Sequence, residues 1–272
     1  MAAALELRRA LLSDLSKSAA AAAKIQEEEE PKLKLKHGEG ESPTVAATNG
    51  IARPQYNNVA YWEDRYAKSS PGEVYEWVLG YDNLSLREKI DDFINSSFSQ
   101  LTALNVLHPG CGDSTLGVAL SASKSVRREV RVVNTDASAT AIAKMSDRHP
   151  EAEWVVMDSL VCPPHDHCLA YDVVLDKCLL DAFTCGGTEF DKRKMVHGYL
   201  EHCANALKAG GRMLVISFGQ PETRRRYFEK QTFANIQNDP WPWKDTLTMS
   251  KVRGIGQDQR SKEAFLYVLE KK

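Results

Sequence analysis

Four clusters of residues have the types and spacing to hold a small polar ligand. Gly110-Cys-Gly112 follows a short apolar run, and glycines there let the backbone approach a ligand closely. Asp136 ends the next apolar run, 24 positions after Gly112. A carboxylate at that place can accept hydrogen bonds from both hydroxyls of a ribose, or it can cap the helix that follows. The glycine turn at this distance ahead of it favours the ribose. Asp158-Ser159 ends the third run and either flanks an adenine ring or starts an Asx turn. Asp176-Lys177 closes the fourth run, with Asp181 close behind. Such a polar group lies at the mouth of a ligand site, or is solvated punctuation at a strand end. The glycine loop lacks the third glycine of GxGxxG, and no Gly-Lys-Ser/Thr follows, which excludes a P-loop.

These positions need a scaffold, and the chain supplies one. Five apolar runs, Leu104–Leu107, Val130–Thr135, Trp154–Met157, Tyr171–Leu175 and Arg212–Phe218, alternate with helical patterns. The helical patterns cover about 84–101, 114–124, 139–148 and a stretch with Val196, Tyr199, Leu200, Cys203, Ala204 and Leu207 on one face, stopped by Gly210-Gly211. This alternation predicts a parallel α/β sheet. Thr246–Val252 and Glu263–Leu269 have no helical pattern between them and predict an antiparallel hairpin. In such a sheet, ligands bind at the carboxyl ends of the strands, which is where all four clusters fall.

Composition narrows the class. The 272 residues carry 35 Lys and Arg against 37 Asp and Glu, a formal net charge of -2. That balance argues against a chain built to grip nucleic acid or an anionic membrane. No apolar run approaches the ~18–20 residues of a membrane helix. Residues 1–55 contain no aromatic side chain and read as a disordered or partly helical leader, with a catalytic domain over residues 56–272. Glu6 and Asp14 interrupt the Ala/Leu/Arg pattern that would mark a mitochondrial presequence, so a cytoplasmic location is expected, with the mitochondrion as the alternative. The six cysteines form no CxxC pair and read as reduced, buried thiols. Cys162-Pro-Pro-His165-Asp-His167-Cys168 matches no zinc spacing, and no metal is expected.

A glycine turn plus an acid also suits NAD, but the incomplete GxGxxG and the terminal hairpin favour S-adenosylmethionine (SAM). The motifs together resemble one branch of the class I SAM-dependent methyltransferases, the group around the lysine methyltransferases of translation elongation factor 1A. Its members open with Tyr-Trp-x-x-Arg-Tyr and a Tyr-x-Trp. Here these are Tyr61-Trp62-Glu-Asp-Arg65-Tyr66 and Tyr75-Glu-Trp77. Pro-Gly-Cys-Gly-Asn-Ser is matched by Pro109 to Ser114, and Val-Val-Leu-Asp-Lys-Gly-Thr-Leu-Asp-Ala by Val173 to Ala182. The likeness runs from about Tyr56 to Leu269. The chain departs from it at three places. His108 stands where class I enzymes usually carry an acid, Cys178-Leu179 replaces Gly-Thr, and Glu222-Thr223 replaces His-Phe after the fifth strand.

The resemblance implies a Rossmann-like, seven-stranded, mostly parallel sheet with a C-terminal antiparallel hairpin and helices on both faces. It implies that Trp62, Tyr66 and Trp77 wall the SAM pocket, that Gly110 and Gly112 approach the methionine part, and that Asp136 with Ala137 holds the ribose. Asp158 and Ser159 would flank the adenine, and Lys177 would lie near the methyl donor. Asp176, and after it Asp181, would orient the accepting amine; both could instead cap the helix after the fourth strand. The stretch from Gly219 to Asp245, with Arg224-Arg225-Arg226 and Trp241-Pro-Trp243, is either a substrate rim or a solvated basic turn with packed tryptophans. The expected activity is methyl transfer to a protein lysine, on a partner like a translation elongation factor, by a monomer. The alternatives are a small-molecule N- or O-methyltransferase and an inactive SAM-binding interaction module.

Overall fold

Val173 and Leu175 project to one side of a fully buried strand and Val174 to the other, and this alternation explains how the domain is layered. The computed structural model describes residues 54–70, 73–161, 163–230, 241–255 and 261–272. The elements are α1 (Val59–Lys68), α2 (Leu84–Ser97), β1 (Ala103–Pro109), α3 (Leu116–Ser121), β2 (Glu129–Asp136), α4 (Ala139–Arg148) and β3 (Glu153–Val156). There follow a 3-10 turn (His165–His167), β4 (Tyr171–Lys177), α5 (Leu179–Phe183), α6 (Glu189–Ala206), β5 (Leu207–Ser217), α7 (Pro221–Phe228), β6 (Thr248–Ile255) and β7 (Ser261–Glu270). The leader expected over residues 1–55 lies outside the described residues, apart from its last two positions.

The seven strands form one sheet in the order β3-β2-β1-β4-β5-β7-β6. β1 to β5 are parallel, and β7 runs antiparallel to both β5 and β6. The sheet and its terminal hairpin are therefore as the sequence predicts. A core of Leu86, Ile90, Leu104, Val106, Leu116, Leu175 and Ile216 joins α2 and α3 to one face. A second core, with Leu107, Val174, Tyr199, Val215, Trp243 and Tyr267, joins α6 and α7 to the other. Chain order reverses between β1 and β4, which opens the crevice at the strands' carboxyl ends.

Several expectations need correction. Gly210-Gly211 does not stop the long helix. α6 ends at Ala206, and Leu207 is already extended and paired with Tyr171. The next pair in register is Val173 with Arg212, so the glycines lie in a bulge of β5, where Gly210 takes a φ of 70°. α3 is shorter than the pattern over 114–124, and α2 ends at Ser97. The basic segment after β5 is a helix, begun by Pro221 in its first turn. Within it Arg224 is buried, and Trp241 and Trp243 are core residues, which is the packed-tryptophan reading of that stretch. Residues 231–240 of the expected rim lie outside the described ones.

Candidate functional site

The loops after β1 to β5 and the segment around α1 enclose one pocket. Every residue expected to bind a cofactor lines it: Trp62, Tyr66, Trp77, Gly110, Gly112, Asp136, Ala137, Asp158, Ser159 and Lys177.

The glycine turn is shaped by backbone conformation. Gly110 and Gly112 have φ of 58° and 53°, values that side-chain-bearing residues seldom adopt. A Cβ at Gly112 would collide with the Tyr66 hydroxyl, and one at Gly110 would crowd the Leu179 side chain. Asp136 closes the turn from β2. Its Oδ2 accepts the Gly112 N–H at 2.9 Å, and its Oδ1 accepts the Ser138 N–H at 2.8 Å. Each oxygen keeps a further lone pair for a ligand. Burial raises the Asp136 pKa, against the pull of these two amides. Asp136 does not cap α4, whose N-cap is Ser138, with its hydroxyl accepting the Ala141 N–H at 3.1 Å; the backbone partners of Asp136 instead fix its carboxylate at the pocket wall, where the ribose reading needs it. Asp158 makes an Asx turn, Oδ1 accepting the Leu160 N–H at 2.9 Å, and it also lines the pocket beside Ser159.

The N-terminal wall is aromatic. Trp62 stacks on Tyr66 with centroids 5.9 Å apart and meets Trp77 edge-on at 5.9 Å. Tyr56 joins them, 5.7 Å from Trp62 and 5.8 Å from Trp77. The sequence reading missed Tyr56, which stands alone at the domain boundary, and missed Glu76 altogether.

Glu76 lies between two aromatics and points inward, away from solvent. It accepts from the Ser114 hydroxyl, from the Thr115 N–H at 2.9 Å and from Lys177 Nζ at 2.8 Å. Lys177 also donates to the Trp77 carbonyl at 3.3 Å. Burial would raise the Glu76 carboxyl, but Lys177 and these donors together hold it below the usual range. Glu76 thus brings a carboxylate to the start of α3, near the turn that His108 precedes. His108 itself is fully buried, and burial lowers its pKa to about 4. Asn134 Nδ2 donates to the Glu153 carbonyl, so its Oδ1 faces His108 Nδ1 at 3.0 Å.

The two carboxylates expected to orient an amine are already engaged. Asp176 lies inside β4 rather than at its exposed end, and it does not line the pocket. Its oxygens accept the N–H groups of Leu179 at 3.1 Å and Leu180 at 3.0 Å, and the Tyr199 hydroxyl at 2.7 Å. Burial pushes its pKa up to about 7. This is the helix-capping arrangement for α5. Asp181 touches the pocket, but its Oδ1 takes Arg224 Nε at 2.9 Å, Arg224 Nη2 at 2.5 Å and the Ser217 hydroxyl at 2.6 Å. Its Oδ2 accepts the Phe218 N–H at 3.2 Å. Both carboxylates hold the wall in place; Asp176, which does not line the pocket, is not placed to orient an accepting amine, whereas Asp181 does line it and keeps a lone pair on Oδ2.

Between them Cys178 adopts a φ of 66°, left-handed for a residue with a side chain. Leu179, Ala182, Phe183, Cys185 and Phe218 finish the pocket on this side. Among the described residues, no group of three or more His, Cys, Asp or Glu is placed to hold a metal ion. No described helix is long and apolar enough to cross a membrane.

A sheet of this order, with β7 antiparallel and an acid at the end of β2 braced against the glycine turn of β1, defines the class I SAM-dependent methyltransferase fold. No protein-family model matches the chain. Mouse EEF1A lysine methyltransferase 4 is 27% identical over 189 residues, which is 66% of this chain and 68% of the mouse protein. The bovine protein of the same name is 27% identical over 183 residues, 64% of this chain and 66% of its own. A solved structure described as "Conversion of a Disulfide Bond into a Thioacetal Group during Echinomycin Biosynthesis" superposes with a TM-score of 0.52 at 16% identity, over 78% of this chain and 92% of that one. The protein has the class I methyltransferase fold and is similar in sequence to the elongation factor 1A lysine methyltransferases.

Proposed function

We propose that the protein binds SAM in this pocket and transfers its methyl group to a lysine amine of a protein resembling a translation elongation factor. The observation that carries the cofactor is the Asp136 carboxylate, held by the Gly112 and Ser138 amides with one lone pair free on each oxygen. Gly110 and Gly112 let the turn lie close against Leu179 and Tyr66, and its backbone lines the pocket beside Asp136, where the methionine arm of a nucleoside cofactor would run. Asp136 would take the ribose hydroxyls, Asp158 and Ser159 the adenine edge, and Gly110 and Gly112 the methionine part. Trp62, Tyr66, Trp77 and Tyr56 offer ring faces suited to a sulfonium cation. SAM when bound supplies the reactive methyl group, so the chain itself must align, desolvate and exclude water.

A free lysine has a pKa of about 10.4 and is mostly protonated at neutral pH. The wall of Leu179, Ala182, Phe183 and Phe218 favours the neutral amine by desolvation. Asp176 and Asp181 serve that wall by fixing α5 and the start of the segment after β5. The lysine substrate rests on the likeness to the mouse and bovine proteins and on the shared motifs around Trp62, Gly110 and Asp176.

The test combines calorimetric titration with SAM and labelling of a cell extract with tritiated-methyl SAM. Binding lost in Asp136→Ala, with label in a protein band that releases methyl-lysine on hydrolysis, is the expected result. Label confined to the low-mass fraction rejects the lysine and points to a small-molecule methyltransferase. SAM binding without any label points to an inactive SAM-binding module, and no SAM binding at millimolar concentration rejects the enzyme.

A further inference from the structure

The aromatic wall of the pocket is carried by a helix whose anchors are polar. In α1 only Tyr66 is buried, and Tyr61 and Trp62 pack against neighbouring rings of their own segment. Beside the Tyr66 ring, buried against the Gly112 turn, the ties to the sheet body come from an exchange of charge with α4. Glu63 Oε1 accepts the Ala139 N–H at 2.7 Å, and both its oxygens lie 3.4 Å from the Thr140 nitrogen. Ala139 and Thr140 are the first residues of α4, at the positive end of its dipole. In the other direction, Lys144 of α4 donates to the Tyr66 carbonyl, and at 3.0 Å to both the carbonyl and the hydroxyl of Ser69. Those carbonyls lie at the C-terminal end of α1, where a positive charge is favoured. Each helix thus has one terminus capped by a charge from the other. One turn beyond Lys144, Arg148 Nη2 donates to the Glu73 carbonyl at 3.3 Å, on the segment that leads to Trp77.

We propose that Glu63 and Lys144 are positioning residues for the pocket, a two-point latch that holds α1 closed with Trp62 and Tyr66 against the ligand. Neither residue lines the pocket. They act through the two rings, which lie one turn apart on the helix they fasten. Contacts of this kind are worth less than a packed core, so the latch can open while the sheet stays folded. Release of α1 gives SAM a way in, and capture of both termini makes the closed state the binding-competent one. The assignment of SAM as ligand rests on the proposed function, whereas the latch rests on its own geometry.

Two measurements separate these claims. The first is amide hydrogen exchange of residues 59–68 in the ligand-free protein. The second is the dissociation constant for SAM, read from the fluorescence of the pocket tryptophans and paired with steady-state kinetics. Glu63→Ala and Lys144→Ala should each speed exchange in residues 59–68 by about tenfold while β1 and β4 keep their protection. Each should raise the Kd and KM for SAM about fivefold to tenfold, because the competent state is less populated, and leave kcat at saturating SAM within about twofold. Lys144→Arg should restore most of the affinity, and Glu63→Gln, which keeps an acceptor but not the charge, should fall between wild type and Glu63→Ala. Wild-type exchange in both alanine variants overturns the latch. Faster exchange spread over the whole sheet also overturns it, since that marks a merely structural role. Faster exchange confined to residues 59–68 in a protein that does not bind SAM sinks the cofactor reading and leaves the latch standing.

Discussion

At the loops after β1, β2 and β3 the pocket presents Asp113, Asp136 and Asp158, whereas after β4 and β5 it presents Leu179, Phe183 and Phe218. The first end is built for a ligand with hydroxyls and amines, and its acids are fixed by backbone amides: Tyr75 for Asp113, Gly112 and Ser138 for Asp136, and Leu160 for Asp158. The second end also has acids close by, but Asp176 is turned into the protein toward Leu179, Leu180 and Tyr199, and Asp181, which touches the pocket, gives one oxygen wholly to Ser217 and Arg224 and the other to the Phe218 N–H. The number of carboxylates near a pocket therefore says little about its chemistry. What counts is which lone pairs the fold leaves open.

Breaking the boundary between the two ends should have the largest effect. Lys177→Met strips the partner from a buried Glu76 carboxylate and should cost about 3–5 kcal/mol in urea unfolding. Adding Glu76→Gln should return part of that loss, and a double variant no better than the single would show that the pair is uncoupled. Asp136→Ala at the polar end should weaken SAM binding on the order of 100-fold in titration, since two charge-assisted hydrogen bonds are lost. Phe218→Ala at the apolar end should leave SAM affinity within about twofold but lower kcat/KM for the accepting substrate roughly tenfold. An equal loss on both sides would abolish the division between the ends. The smallest change belongs to Cys178, whose left-handed backbone suits glycine. Cys178→Gly should stabilise by about 0.5–1 kcal/mol in the same unfolding assay, as relief of strain exceeds the entropy glycine adds to the unfolded chain.

The polar end was more legible in the sequence than the apolar one, for a physical reason. Gly110, Gly112 and Asp136 act through local features, a turn and a strand end, that spacing along the chain reveals. Glu76 acts through Ser114 and Lys177, 38 and about 100 positions away, and nothing in Tyr75-Glu-Trp77 says which way its carboxylate faces. Asp176 was misplaced because β4 runs on through Lys177, and a charged residue inside a fully buried strand defies the usual pattern. The helix Pro221–Phe228 was hidden by its three arginines, of which only Arg224 turns inward, to Asp181. The five parallel strands were readable because their apolar runs are short and separated by helical periods, and the hairpin because its two runs have no helical pattern between them.

The position of β7 has a consequence for synthesis. Among the described residues β6 has no strand neighbour but β7, yet it is made first, and β5 keeps a bare edge until β7 slots in beside it. As the chain leaves the ribosome, the five-stranded parallel body exposes that edge while some forty residues are still being added. Growing chains are most open to edge-to-edge association during this interval. The loop that ends β5 at Phe218 gains its support from Tyr267 of β7, which donates its hydroxyl to the Gly219 carbonyl at 2.7 Å. The apolar end of the pocket is thus the last part of the site to be set, and a nascent chain acquires the means to hold a nucleoside before the means to present an acceptor to it.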